Sequence, residues 1–179
     1  MRHFTFPILC LAFVCQLASA GTLSFDGTTA GGPTWNRPDA YGLYLPSAGT
    51  DVRFHVLEFS VSESGLYSFL ETTAGWDNFT VLYQNSFDPG APLTNFMIGN
   101  DDYLGSNGDS GFDHVLESGI HYFFVSTAFS ENSSGAFALT ITGPGEIYLG
   151  DPAADVPEPA TFALSAAGAG LLVWLRRKR

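Results

Sequence analysis

The sequence predicts an all-β fold, a single β-sandwich lying between an N-terminal leader and a C-terminal apolar span. Three observations carry that expectation. Between Gly21 and Thr142 the apolar residues fall in short runs, several alternating with a period of two. The runs are separated by clusters of Gly, Pro, Asn and Asp, the residues that turns require. No stretch of the region sustains a helical period. About 130 residues is enough for one domain with a proper core.

The leader opens with Met1-Arg2-His3 and continues as an apolar run from Phe4 to Leu17, broken by Thr5, Pro7 and Gln16. Ala18-Ser19-Ala20 then fits the small-residue cleavage pattern, so residues 1–20 read as a signal peptide cut between Ala20 and Gly21. Cys10 and Cys15 both fall inside it. Leu9 and Val14 precede them, where lipid modification of a cysteine needs a small residue. The exported domain is expected to have no thiol or disulfide and to be stable by burial alone.

Thr22–Phe25 is the first strand candidate, followed by a loop that carries Trp35, either as a ligand-stacking surface or packed over the open edge of the sandwich. His55–Val61 places Leu57, Phe59 and Val61 on one face, and Leu66–Glu71 returns after Ser62-Glu63-Ser64-Gly65, which the spacing predicts as a hairpin. Further strands are expected at Asp77–Tyr83, Leu93–Ile98, His114–Leu116, Ile120–Thr127 and Ala136–Thr142. The sandwich is thus placed at 21–142. Residues 143–155, rich in Gly, Pro and acids, read as a linker.

Four stretches carry a resemblance: "VSESGLYSF" at Val61–Phe69, "WDNFTVLY" at Trp76–Tyr83, "NDD" at Asn100–Asp102 and "LESGIHYFFVST" at Leu116–Thr127. Their order and spacing resemble the bacterial pre-peptidase C-terminal domain over roughly Phe54–Thr142. That resemblance implies a small jelly-roll-like sandwich.

The tail has three parts in order: Val156-Pro157-Glu158-Pro159, the uncharged run Ala160–Leu175, and the basic cluster Arg176-Arg177-Lys178-Arg179. As a helix, sixteen residues span about 24 Å, short of the ~30 Å core of a typical bilayer. The run is expected to form a transmembrane helix that holds the chain marginally, with the basic cluster cytoplasmic. The whole of 156–179 resembles the PEP-CTERM sorting signal. That resemblance implies export, transient membrane arrest and processing at Val156–Pro159 by an exosortase-type enzyme. It further implies a bacterium with an outer membrane that makes exopolysaccharide, and a role at the cell surface or in the matrix.

Charge narrows the partners. Between Gly21 and Asp155 there are 17 acids and two strong bases, Arg37 and Arg53, a net charge near −15 against −11 for the whole chain. Such a region is repelled by nucleic acid, whose binding rests on neutralising phosphates. It attracts divalent cations, or it serves as a solvated acidic face.

The functional groups concentrate in the loop Asn100–Asp113. Asn100, Asp101, Asp102, Asn107, Asp109 and Asp113 offer the carboxylate and amide oxygens that Ca²⁺ takes, and Asp77 starts a strand expected to end nearby. The order is not that of an EF-hand; a solvated turn capped by its own Asx side chains is the alternative. The histidines have no zinc-site spacing, and no serine has the strand–turn–helix context of a nucleophile. A non-enzymatic structural or adhesive role with Ca²⁺ as the candidate cofactor is expected. The alternatives are a carbohydrate-binding module using Trp35, Trp76 and nearby tyrosines, and a hydrolase working through two carboxylates.

Overall fold

The computed structural model of the protein describes residues 20–106 and 108–150. The predicted signal peptide up to Ser19, the motif Val156–Pro159, the predicted transmembrane helix 160–175 and Asn107 lie outside them. Among the described residues no helix is long and apolar enough to cross a membrane.

The described chain is all-β, in ten strands: β1 (Gly21–Thr28), β2 (Thr34–Trp35), β3 (Val52–Val61), β4 (Gly65–Thr73), β5 (Asn78–Gln84), β6 (Phe96–Asn100), β7 (Asp109–Leu116), β8 (Tyr122–Ala128), β9 (Ala136–Gly143) and β10 (Ile147–Leu149). One sheet has the order β1-β9-β4-β7 and the other β10-β3-β8-β5-β6, with β2 against β3. The antiparallel pairs β1–β9, β3–β8, β4–β7 and β5–β6 nest one inside the next. A long hairpin rolled up in this way gives the jelly roll.

Rolling corrects the expected β3–β4 hairpin. The Ser62–Ser64 turn carries the chain from one sheet to the other, so β3 and β4 face each other instead of pairing. Spacing alone cannot separate an arch from a hairpin, because both need a short polar turn between two apolar strands. Phe59 on β3 and Phe69 on β4 meet across the core with ring centroids 6.0 Å apart. The linker expectation is corrected as well. Ile147–Leu149, inside the predicted 143–155 linker, pairs with Phe59–Val61 as β10.

The larger sheet is buried on both faces. One face shares the inter-sheet core of Leu57, Phe59, Val61, Leu82, Tyr122 and Phe124 with Tyr67, Phe69, Phe112, Leu116, Leu139 and Ile141 of the other sheet. Its opposite face carries Phe54, Phe79, Val81, Tyr83 and Val125, covered by Trp35 and by partly buried Ala40 and Phe87. Full burial of a large apolar side chain contributes about 1.5–3 kcal/mol. Two such layers supply the stability that the expected lack of disulfides demands.

Trp35 is therefore removed from the ligand-stacking candidates, and from the sandwich edge. It is 4% exposed, its ring lies 5.4 Å from both Phe54 and Phe87, and its indole N–H donates to Thr127 Oγ1 at 3.0 Å. The tryptophan pins the loop between β1 and β3 onto the outer face of the larger sheet.

Candidate metal centre and the loop that covers it

The pairing of β5 with β6 sets Thr80 opposite Asn100. Asp77, just before β5, and Asp101 and Asp102, just after β6, consequently emerge at the same end of the sheet. Their carboxylate oxygens converge, with one oxygen from each within 4.8 Å of the other two. Asp77 and Asp101 are half-buried and Asp102 is exposed. Oδ1 of Asp77 and Oδ1 of Asp101 are both buried without a hydrogen-bond partner.

A buried acceptor left without a donor costs about 1–3 kcal/mol, more when charged. Burial and the neighbouring charges act on the carboxyls accordingly. Burial raises the pKa of Asp101 to about 6, the charges of Asp77 and Asp102 add to the rise, and Arg37 opposes it. Asp77 is raised for the same reasons, by burial first and then by Asp102. Two oxygens that share one Ca²⁺ at 2.3–2.6 Å lie at most about 5 Å apart, so the three carboxylates fit one such ion.

The other predicted ligands among the described residues, Asn100, Asp109 and Asp113, are engaged elsewhere. Asn100 is the last residue of β6; its side-chain amide donates to the Gly111 carbonyl. Asp109 accepts from Ser106 Oγ at 2.9 Å through its Oδ2, closing the turn between β6 and β7. Gly108, at φ 94°, makes that turn possible; a side chain there would be strained and would crowd Thr73. Asp113 lies exposed within β7, opposite Ser68 of β4. The predicted acidic loop Asn100–Asp113 is in fact a loop only over 101–108, because β7 already begins at Asp109.

Arg37 is the residue that sequence reasoning passed over. It is 2% exposed, and its guanidinium sits 4.0 Å above the Phe79 ring and 5.1 Å from that of Phe129. Its donors go to the carbonyls of Pro38, Ala128 and Phe129. Gly49 passes so close that a Cβ there would stand 2.4 Å from Arg37 Cγ. The signal available in the sequence is scarcity alone: Arg37 is one of two strong bases between Gly21 and Asp155.

Two cavities flank the trio. One, of about 300 Å³, is lined by Gly75, Trp76, Asp77 and Gly108. Trp76 is half-buried there, its indole N–H held by the Ala136 carbonyl at 2.9 Å. The other, of about 320 Å³, is lined by Arg37, Asp101, Phe79, Phe129 and the loop residues Tyr41 and Tyr44 among others. Beneath the trio, between the sheets, Glu71 of β4 is fully buried. Asn78 Nδ2 donates to its Oε1 at 3.0 Å, and Oε2 is joined to Ser126 Oγ.

Residues 155–179 match the PEP-CTERM protein-sorting motif. The chain ends in a sorting signal. A PEP-CTERM motif of this kind implies an exported protein, recognised by an exosortase and held at the membrane through the motif before processing. No curated protein sequence matches the chain. Among solved structures, the pre-peptidase C-terminal domain of a collagenase from Bacillus anthracis is similar at 14% identity. That alignment covers 68% of this chain and 89% of that one, with a TM-score of 0.45. A structure of infectious bursal disease virus, Gx strain, aligns at 14% identity over 80% of this chain and 38% of that one, with a TM-score of 0.24. The jelly roll described above rests on its own strand pairing.

Proposed function

We propose that this PEP-CTERM protein is a non-catalytic structural or adhesive component of the cell surface or extracellular matrix, whose sandwich holds a divalent cation, best Ca²⁺, between Asp77, Asp101 and Asp102. The observation that carries the cation is a three-carboxylate cluster in which Asp77 and Asp101 each have one buried carboxylate oxygen without a donor. A bound Ca²⁺ supplies charge compensation and fixes the β5 and β6 ends; backbone carbonyls and water complete its six to eight oxygens.

Cleavage of a signal peptide after Ala20 suits this reading, since β1 begins at Gly21 and would be left whole.

Fractionation of cells carrying the full chain, or the chain without residues 156–179, tests the surface role. The reading expects the full chain at the surface or in the medium with the exosortase present. It fails if deleting the tail leaves the distribution unchanged.

A further inference from the structure

Four exposed apolar side chains crowd one short loop: Tyr41 at 78% exposure, Leu43 at 74%, Tyr44 at 58% and Leu45. A soluble surface rarely gathers such a patch without a partner. The loop is not loosely held. Asp39 Oδ1 accepts the backbone N–H groups of Leu43 and Tyr44 at 2.7 and 3.2 Å, and the Asp39 N–H donates to the Tyr44 carbonyl at 2.9 Å. Arg37 anchors its base. The tyrosines are therefore presented on a fixed turn, and ordering them on binding costs little.

Tyr41 and Tyr44 form one wall of the 320 Å³ cavity, Phe79 and Phe129 lie deeper, and Asp101 contributes a carboxylate. That size is at the lower end for small-molecule sites, and an apolar, aromatic lining with few polar groups is their usual composition. We propose that this cavity binds a neutral sugar residue of a polysaccharide, its C–H face against Tyr41 and Tyr44 and a hydroxyl donated to Asp101.

The chemistry excludes the other classes in turn. An anionic ligand meets Asp39 and Asp101, while the N–H groups of Arg37 are already given to backbone carbonyls. An amine would lie beside the buried Arg37 charge. A purely apolar ligand would leave the Asp101 acceptor without a donor, at a cost. A neutral polyol offers hydroxyl donors for the carboxylate and apolar C–H groups for the negative faces of aromatic rings. The site shares Asp101 with the cation centre but needs no cation for the stacking contact.

The test is binding of the full chain, purified in detergent, to an array of neutral glucans and mannans, with alginate and polylysine as the anionic and cationic probes. Neutral glycans should bind. The double variant Tyr41→Ala/Tyr44→Ala should bind about tenfold or more weakly at an unchanged melting temperature. Ala48→Trp, placed in the exposed wall with both tyrosines intact, should also block binding. Repeating the assay in EDTA separates this proposal from the cation reading: binding should be retained in EDTA, and its loss there would overturn the direct contact of a hydroxyl with Asp101. Absence of neutral-glycan binding, binding unaffected by both variants, or binding of polylysine that both variants abolish would overturn it.

Discussion

Asp77, just before β5, and Asp101, just after β6, meet at the same end of the β5–β6 pair, and each brings one buried carboxylate oxygen that no hydrogen-bond donor meets. Like charges placed together in a half-buried site destabilise a fold unless something positive joins them. Arg37 lies close enough to oppose the pKa rise of both, yet its N–H groups are spent on carbonyls. The cation proposed between Asp77, Asp101 and Asp102 would compensate these charges.

Glu71 makes a second, separate prediction. Its carboxyl is pushed up to about 7 by burial, against the hydrogen bonds from Ser126 and Asn78. The folded state thus binds a proton that the unfolded state releases above about 4.5. The contribution of Glu71 to stability falls as pH rises from about 4.5 to about 7 and is flat outside that window. Glu71→Gln should remove this loss, worth on the order of 3 kcal/mol at pH 8. Comparing urea unfolding of the two proteins at pH 4 and pH 8 checks it, because other titrating groups, including His55 and His114 acting in the opposite sense, cancel in the difference. An equal pH dependence in both proteins contradicts it.

Arg37→Ala should cost about 3–5 kcal/mol, since each buried carbonyl left without its donor costs about 1–3 kcal/mol. Three carbonyls lose their donor and the rings of Phe79 and Phe129 lose their cation. The readout is the unfolding midpoint together with limited proteolysis, where cleavage is expected to move into residues 38–51. A variant as stable as the parent, cut at the parent's sites, would show that the loop is held by Trp35 alone.

The mature ends carry a further prediction. Intact mass of the protein recovered from the surface or medium should correspond to a chain that begins at Gly21 and ends near Pro157–Pro159. A mass that retains Arg179 would mean a permanent anchor instead of a released domain.

How much of this was legible beforehand depended on the kind of information each feature uses. The strands at His55–Val61 and Ala136–Thr142 were readable because period-two alternation is local. The partition into two sheets was not, since Ser62–Ser64 looks the same in an arch and in a hairpin. In the acidic loop, composition pointed to Asp101 and Asp102 equally with Asp109 and Asp113, and only the pairing of Ser68 with Asp113 shows that the last belongs to a sheet. Arg37, Glu71, Tyr41 and Tyr44 act through contacts with residues distant in sequence, such as Arg37 with Phe129 and Glu71 with Ser126. No local pattern announces such contacts.

The most direct test of the account is a calorimetric titration of Ca²⁺ into the full chain in detergent at pH 7.5, followed by a thermal melt. One site is predicted, and at a hundredfold excess over Kd it should stabilise the fold by about 2.7 kcal/mol, roughly 10 °C for a domain of this size. Asp77→Asn/Asp101→Asn should abolish both the heat and the shift. A melting temperature that Ca²⁺ leaves unchanged in the parent protein would contradict the central claim.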